Sequence, residues 1–212
     1  LDLAGHGRKI DFLIHDLSHA DEVAGCAVAL VKGEPIDVLI HNAGISAAGR
    51  MTSVSLADQL KVIRVNLSAP MLLTAALLKG DKLKSGGSIV FMSSLSYFVG
   101  YPGASVYAAT KDGIASYARS IRQELRSDNI HVLTVYPGPT RTAHARRYSV
   151  GKTREHKRMH PDELALQIYR SVVNRRRTLV PGISNNVIAG FGKWLPGIAE
   201  RVMARSMLGS SE

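Results

Sequence analysis

Ser88-Ile-Val-Phe-Met-Ser-Ser94 is a run of four apolar residues closed by two serines. A half-exposed strand would alternate apolar with polar, so an unbroken run of this length describes a strand buried on both faces. The form recurs along the chain. Ile36–Ile40 ends in His41-Asn42-Ala43-Gly44, and His131–Val135 ends in Tyr136-Pro137-Gly138. Asp11–His15 is a similar apolar run that stops at Asp16, and Thr178–Val180 makes a short last strand.

The segments between these runs have helical spacing. Val23, Ala24, Ala27, Val28 and Val31 mark a helix from Ala20 to Val31, with Asp21 and Glu22 in the first turn, where the helix dipole favours acids. Helices are expected from Ser55 to Leu78, from Ser105 to Ser127 and from Pro161 to Asn174. Another is expected from Asn186 to Leu208, interrupted near Pro196. Lys84–Gly87 reads as a turn. Strand alternating with helix, the strands being mainly continuous apolar runs rather than alternating ones, predicts an α/β fold: a doubly wound parallel sheet in three layers, α/β/α. In such sheets ligands sit at the carboxyl ends of the strands. Those ends carry Asp16, Asn42-Ala43-Gly44, Ser93-Ser94 and Pro137-Gly138.

Composition fits one domain. The chain has 212 residues, 45% of them hydrophobic and 21% charged, with no repeat or low-complexity tract. A single cysteine, Cys26, excludes an internal disulfide framework and leads us to expect a reducing, cytoplasmic setting. Cys26 lies in a helix and reads as core packing. The net charge of +10 is lopsided: residues 1–140 hold 13 Lys and Arg against 12 Asp and Glu, and residues 141–212 hold 14 against 5. The body is near neutral and the last third basic. No aromatic-interleaved basic patch or known motif supports nucleic-acid binding. His156 and His160 are four apart but lack the intervening Glu of a zinc hydrolase, so no metal is expected.

Tyr107 and Lys111 are four apart and so share a helix face. A cation beside a phenol lowers its pKa and makes it usable as a proton donor or acceptor near neutral pH. Ser94 precedes Tyr107 by 13 residues, and Asn66, a weak helix former, sits inside a predicted helix.

On these residues the chain resembles the short-chain dehydrogenase/reductase (SDR) family. The stretches that carry the resemblance are Asp16-Leu17, Asn42-Ala43-Gly44, Asn66, Ser94 with Tyr107-Ala-Ala-Thr-Lys111, and Pro137-Gly138 with Thr142. Their order and spacing agree over about 130 residues. The resemblance implies a single Rossmann-like domain, an NAD or NADP cofactor, and interconversion of a secondary alcohol with a ketone. It implies that Tyr107 is the general acid/base and that Ser94, rather than Ser93, bonds the substrate oxygen. It implies that Lys111 holds the nicotinamide ribose and that Asn66 connects that lysine to solvent through water. Asp16 would contact the adenine, Asn42, Ala43 and Gly44 would line the adenosine end, and Pro137, Gly138 and Thr142 would cover the nicotinamide. Thr140 stands where the family often has an aliphatic residue. A homo-oligomer packed through the helices at 55–78 and 105–127 is a further family expectation.

The family also opens on a strand, a Gly-x-x-x-Gly-x-Gly turn and a helix facing the pyrophosphate. Gly5-His-Gly7 does not supply that turn. The resemblance enters near the family's second helix, so the first strand, first helix and second strand are missing from this sequence. Family strand order is 3-2-1-4-5-6-7. Asp11–His15, as the third strand, would stand roughly three strand spacings, about 14 Å, from Ile36–Ile40 and lack a partner. We therefore expect an N-terminally incomplete sheet and a fragment of a longer chain. A truncated or non-catalytic protein of this fold, acting by binding or assembly, is the alternative.

Residues 141–212 would be the basic substrate lid and C-terminal region. Leu95, Val99, Tyr101 and Tyr148 are pocket candidates, Arg175-Arg176-Arg177 reads as an exposed turn, and the last helix pairs an apolar side with Lys193, Arg201 and Arg205. A hydrophobic small-molecule carbonyl or alcohol is the expected substrate. Peripheral membrane contact through the last helix is a second expectation.

Overall fold

The computed structural model describes residues 10–142 and 158–208. Its elements are α1 (Ala20–Lys32), β1 (Ile36–His41), α2 (Leu56–Ile63), a π-helical turn (Arg64–Ser68), α3 (Ala69–Lys79) and β2 (Leu83–Met92). There follow α4 (Ser96–Val99), α5 (Ser105–Glu124), β3 (His131–Val135), α6 (Pro161–Val173), β4 (Thr178–Leu179), α7 (Ile183–Trp194) and α8 (Pro196–Leu208). The strands pair in the order β1-β2-β3-β4, all parallel.

Alternate residues of the central strands fill two cores. Ile89 and Phe91 of β2 and Val132 of β3 point to one face, against Leu77 of α3 and Ile114 and Ala118 of α5. Val90, Leu133, Val135 and Leu179 point to the other, against Leu164, Ile168 and Val172 of α6. Phe91, Ile89, Val90, Leu133 and Val135 are all fully buried. The unbroken apolar runs thus have the cause expected of them: a helix layer on each face.

Helix α6 covers only the β3–β4 side of its layer. Val38 and Ile40 of β1, which pair with Ser88 and Val90, are 43% and 51% exposed. Asp11–His15 is not a strand: it is irregular, and Phe12, Leu13 and Ile14 face solvent. The expected strand fails for the reason that strand order gives. Among the described residues no strand flanks β1 on that side, and a single strand without a ladder cannot satisfy its backbone.

Two other elements differ from expectation. Strand β2 starts at Leu83, so Lys84–Gly87 lies inside it as an irregularity, between the pairs Ile36–Leu83 and Val38–Ser88. Gly87 is required there, since a Cβ would come 2.8 Å from the Lys84 carbonyl oxygen and 2.9 Å from that of Asp37. Ser96–Val99, in a stretch without helical periodicity, forms the short α4. Arg175-Arg176-Arg177 is the exposed turn expected of it, and it also clamps the sheet. Arg175 donates to the carbonyls of Gly86 and Asn129 at 3.1 and 3.0 Å, and the Arg176 carbonyl accepts from His131 Nε2 at 2.8 Å. Cys26 packs beside Val23, Ala69 and Leu73 as expected.

Leu56–Lys79 is one continuous helical rod, long and apolar enough to pass for a membrane span. Its inward side is core, with Val62, Asn66, Leu73, Thr74 and Leu77 buried. The π turn in its middle has a sequence cause. Pro70 lacks the N–H that would bond the Asn66 carbonyl in an α-helix, and Ala69 N–H instead reaches the Arg64 carbonyl, five residues back.

Candidate active site

The carboxyl ends of β1, β2 and β3 lie side by side next to the start of α5, where a sheet of this class places its binding crevice. At the end of β2 the two serines divide their work because successive strand residues point to opposite sides. Ser93 is buried and donates to the Lys111 carbonyl at 2.8 Å, tying strand to helix. Ser94 is half-buried, accepts from Ser96 N–H at 3.2 Å, and hydrogen-bonds Tyr107. This supports the choice of Ser94 over Ser93.

Tyr107 and Lys111 sit one turn apart near the start of α5, with the Lys111 ammonium 5.7 Å from the Tyr107 ring centroid. Lys111 is 6% exposed and donates to the Met92 carbonyl at 2.8 Å. Burial pushes its pKa down to about 8. The expected lowering of the tyrosine is not found. Burial pushes the Tyr107 phenol up, the Ser94 hydrogen bond opposes this, and the neighbouring Tyr101 adds to it. The physical reason is that the phenol has lost water, and Lys111 stands over the ring and spends a hydrogen bond on a backbone carbonyl.

Asn66 is 2% exposed on the π turn. Its side chain holds Ile45 at both ends: Ile45 N–H donates to Oδ1 and Nδ2 donates to the Ile45 carbonyl, each at 2.8 Å. Nδ2 also donates to Thr110 Oγ1 at 3.1 Å, and that hydroxyl donates to the Tyr107 carbonyl. Asn66 therefore fixes the β1 loop and the α5 helix together. Gly44 completes the junction: a Cβ there would lie 3.4 Å from Lys111 Nζ and 3.5 Å from Asn66 Oδ1. Asn42 and Ala43 are exposed on the same loop.

On the β3 side, the Pro137 carbonyl accepts from Leu95 N–H at 2.9 Å, and the Gly138 carbonyl from Thr140 Oγ1 at 3.1 Å. The Thr140 hydroxyl thus braces the turn where an aliphatic residue was expected. Thr142 N–H bonds the Thr140 carbonyl at 2.9 Å. Gly138 has no room for a side chain, since a Cβ would stand 2.5 Å from Asn185 Nδ2. Asn185, at the start of α7, is held by the Pro181 carbonyl and closes this edge of the crevice.

Asp16 is the outlying member of the expected set. Its carboxylate accepts from Ser18 N–H at 2.8 Å and Ser18 Oγ at 2.7 Å, which turns the chain into α1. These bonds hold its pKa below the usual carboxylate value. Tyr101 lies beside Tyr107, ring centroids 6.1 Å apart, as a pocket residue should. Val99 does not line the crevice but is buried under α7, against Gly192. Tyr148 and the basic residues Arg146, Arg147, Lys152, Arg154 and Lys157 lie outside the described residues. Periodicity and motif missed Thr110, Ile45 and Asn185. Asn66-x-x-x-Pro70 was the legible signal for the π turn that aims Asn66.

Comparison with known proteins identifies the family and the fold. The short chain dehydrogenase family model matches residues 2–152. Among curated proteins, the chain is 33% identical over 153 residues to a dehydrogenase/reductase SDR family protein 7-like of Drosophila melanogaster, covering 68% of this chain and 47% of that protein. It is 39% identical over 134 residues to the ketoacyl reductase HetN of a Nostoc species, covering 63% and 46%. The chain spans about half the length of the curated relatives it matches. A short-chain dehydrogenase from Sphingobium yanoikuyae in complex with NADPH superposes with a TM-score of 0.76 at 25% identity, over 93% of this chain and 76% of that one. A bulky-bulky ketone specific alcohol dehydrogenase from Comamonas testosteroni shares the fold, with a TM-score of 0.70 at 23% identity, over 97% and 75%. The chain belongs to the short-chain dehydrogenase family.

Proposed function

We propose that the protein is an NAD(P)-dependent oxidoreductase that interconverts a secondary alcohol and a ketone, with Tyr107 as its general acid/base. The observation that carries this reading is the convergence of Ser94, Tyr107 and Lys111 with Asn66 at one strand end, all four buried or half-buried, with Ser94 bonded to Tyr107, Asn66 linked to Tyr107 through Thr110, and Lys111 bonded to the end of β2. Such residues are costly to bury, and a binding module has no use for a phenol, a hydroxyl and a buried ammonium in register.

The donor set fits the nicotinamide end of a dinucleotide. Lys111 and Tyr107 would hold the ribose, Gly44 leaves room beside them, and Pro137, Gly138 and Thr142 would cover the ring. The bound cofactor supplies the hydride. The protein's own residues do the rest. In the reducing direction, Ser94 Oγ–H and Tyr107 Oη–H donate to the carbonyl oxygen, which gains negative charge as the carbon is reduced. Tyr107 then gives up its proton to that oxygen. Lys111, protonated at neutral pH, stands close enough to stabilise the resulting phenolate through a dry medium. The raised Tyr107 pKa keeps the proton in place until the oxygen needs it.

The exposed apolar side of α7, which begins beside Gly138, supports a hydrophobic carbonyl substrate. The solvent-facing Leu56, Leu60 and Leu72 on the α2–α3 rod support association of like copies through that helix. Tyr107→Phe tests the assignment. Carbonyl reduction by the full-length protein should fall about 10²–10⁴-fold with fold and cofactor affinity retained. Unchanged turnover overturns it.

A further inference from the structure

We propose that α7 and α8 form a docking face for an anionic lipid surface. Helix α7 is apolar on two opposite sides. One side is seated on the protein: Ala189 and Gly192 are buried, and Gly192 packs against the backbone carbonyl of Phe98 in α4. At 3.6 residues per turn, Ile183, Val187, Phe191 and Trp194 fall within about 80° of arc on the other side. That second stripe is in solvent, with Ile183 87% and Trp194 80% exposed. Helix α8 continues the pattern. Ala199 is buried, whereas Ile198 and Val202 are about half-exposed.

A core helix needs one apolar stripe, so the second has no structural purpose within the described residues. Charge identifies the occupant. Lys193, Arg201 and Arg205 flank the exposed stripe, and Glu200 is the sole acid of the two helices. A second copy of the chain on the same patch would set these cations against themselves, since a two-fold contact pairs a surface with itself. A protein partner would have to be apolar and acidic at once. A bilayer with anionic headgroups is both, and a stripe with a cationic rim is how interfacial helices lie on one. At 12 and 13 residues neither helix is long enough to span, so both would lie in the surface plane. Helix α7 also begins at the crevice rim, where Asn185 meets Gly138, so this docking would bring the mouth of the site to the lipid.

Trp194, the single tryptophan of the chain, is a built-in probe of this contact. The protein is mixed with vesicles of phosphatidylcholine, with or without phosphatidylserine, and followed by co-sedimentation and by tryptophan emission. We expect co-sedimentation with phosphatidylserine vesicles at low salt, a blue shift, quenching by brominated lipid, and loss of binding as salt rises. Lys193→Gln and Arg201→Gln should each weaken partitioning about fivefold. Ile183→Ser with Val187→Ser, both at exposed positions, should weaken it about tenfold or more while circular dichroism is unchanged. Absence of binding to phosphatidylserine vesicles at low salt overturns the proposal. So does equal binding to neutral vesicles, which would remove the role of charge. A blue shift that grows with protein concentration in buffer alone overturns it in favour of a second copy.

Discussion

Lys111→Met should make the protein more stable while abolishing its chemistry. Burial lowers the Lys111 pKa from 10.5 to about 8, so the folded protein holds the ammonium at neutral pH at a cost. A shift of about 2.5 units corresponds to ~3.4 kcal/mol of differential penalty on the charged form. A methionine of similar length removes that penalty and fills the space. It also leaves the Met92 carbonyl without the Lys111 hydrogen bond, which costs about 1–3 kcal/mol. The net expectation is a gain of up to about 2 kcal/mol at pH 7. The sign with pH follows from proton counting. Between about pH 8 and 10.5 the unfolded chain keeps the Lys111 proton that the folded chain has released, so wild-type stability gains from this group as pH rises. The penalty is present in full below about pH 8 and disappears towards the unfolded value. Cys26, Tyr101, Tyr107, Tyr117 and Tyr136 have raised pKa values and act in the opposite direction at alkaline pH. Both proteins share them, so the difference between variant and wild type isolates Lys111. Urea melts at pH 7 and pH 9.5 measure it. The variant's advantage should be largest at pH 7 and shrink by pH 9.5. A variant less stable than wild type at pH 7, or an advantage independent of pH, refutes the account of Lys111 as a desolvated charge kept for function.

Asn66→Ala removes three hydrogen bonds, one buried and two part-buried, and orphans both backbone groups of Ile45; urea unfolding should report a loss of about 2–4 kcal/mol. A loss under about 0.5 kcal/mol would mean that Asn66 does not hold the β1 loop. His41 is half-buried and stacked on Phe91, bonds Thr74 at 2.8 Å, and has its pKa lowered by desolvation to about 4. Its neutral form is favoured on folding, so its contribution is complete above about pH 6.5 and lost as pH falls towards 4, up to ~3 kcal/mol. His41→Asn should flatten the stability profile between those values, and an unchanged slope would place the acid sensitivity elsewhere.

The architecture was legible where sequence and packing repeat one another. β2 and β3 lie between two helix layers, so their apolar runs admit only one reading. The site was legible where chemistry is local, as in the four-residue step from Tyr107 to Lys111 and the serines at the end of β2. Asn66 is the instructive mixed case. Its oddness in a helix was visible, but its partners were not, because Ile45 and Thr110 are 21 and 44 residues away in sequence. The Tyr107 pKa was misjudged for a related reason. Spacing puts a cation near a phenol, but the sign of the shift depends on how much water the fold removes, and spacing carries no information on that. Asp11–His15 had the composition of a strand. A strand requires a neighbour, and neighbours are set by topology rather than by local propensity.

Among the described residues, the basic last third divides into charges that the fold uses and charges that it displays. Arg175 crosses to Gly86 and Asn129 and pins the amino ends of β2 and β3. Arg177 offers its carbonyl to Thr134 N–H and to Arg122, beside β4. Arg141 bonds the Arg158 carbonyl and joins the chain across residues 143–157. Each of these side chains or carbonyls has a partner, so its position follows from packing. Lys193 precedes the exposed Trp194 instead, and Arg201 and Arg205 share α8 with the exposed Ile198 and Val202. Apolar surface and positive charge are each unremarkable alone on a protein exterior. Their coincidence on two consecutive helices, at the edge of the crevice and opposite a face already packed, is what separates a recognition surface from a solvated one.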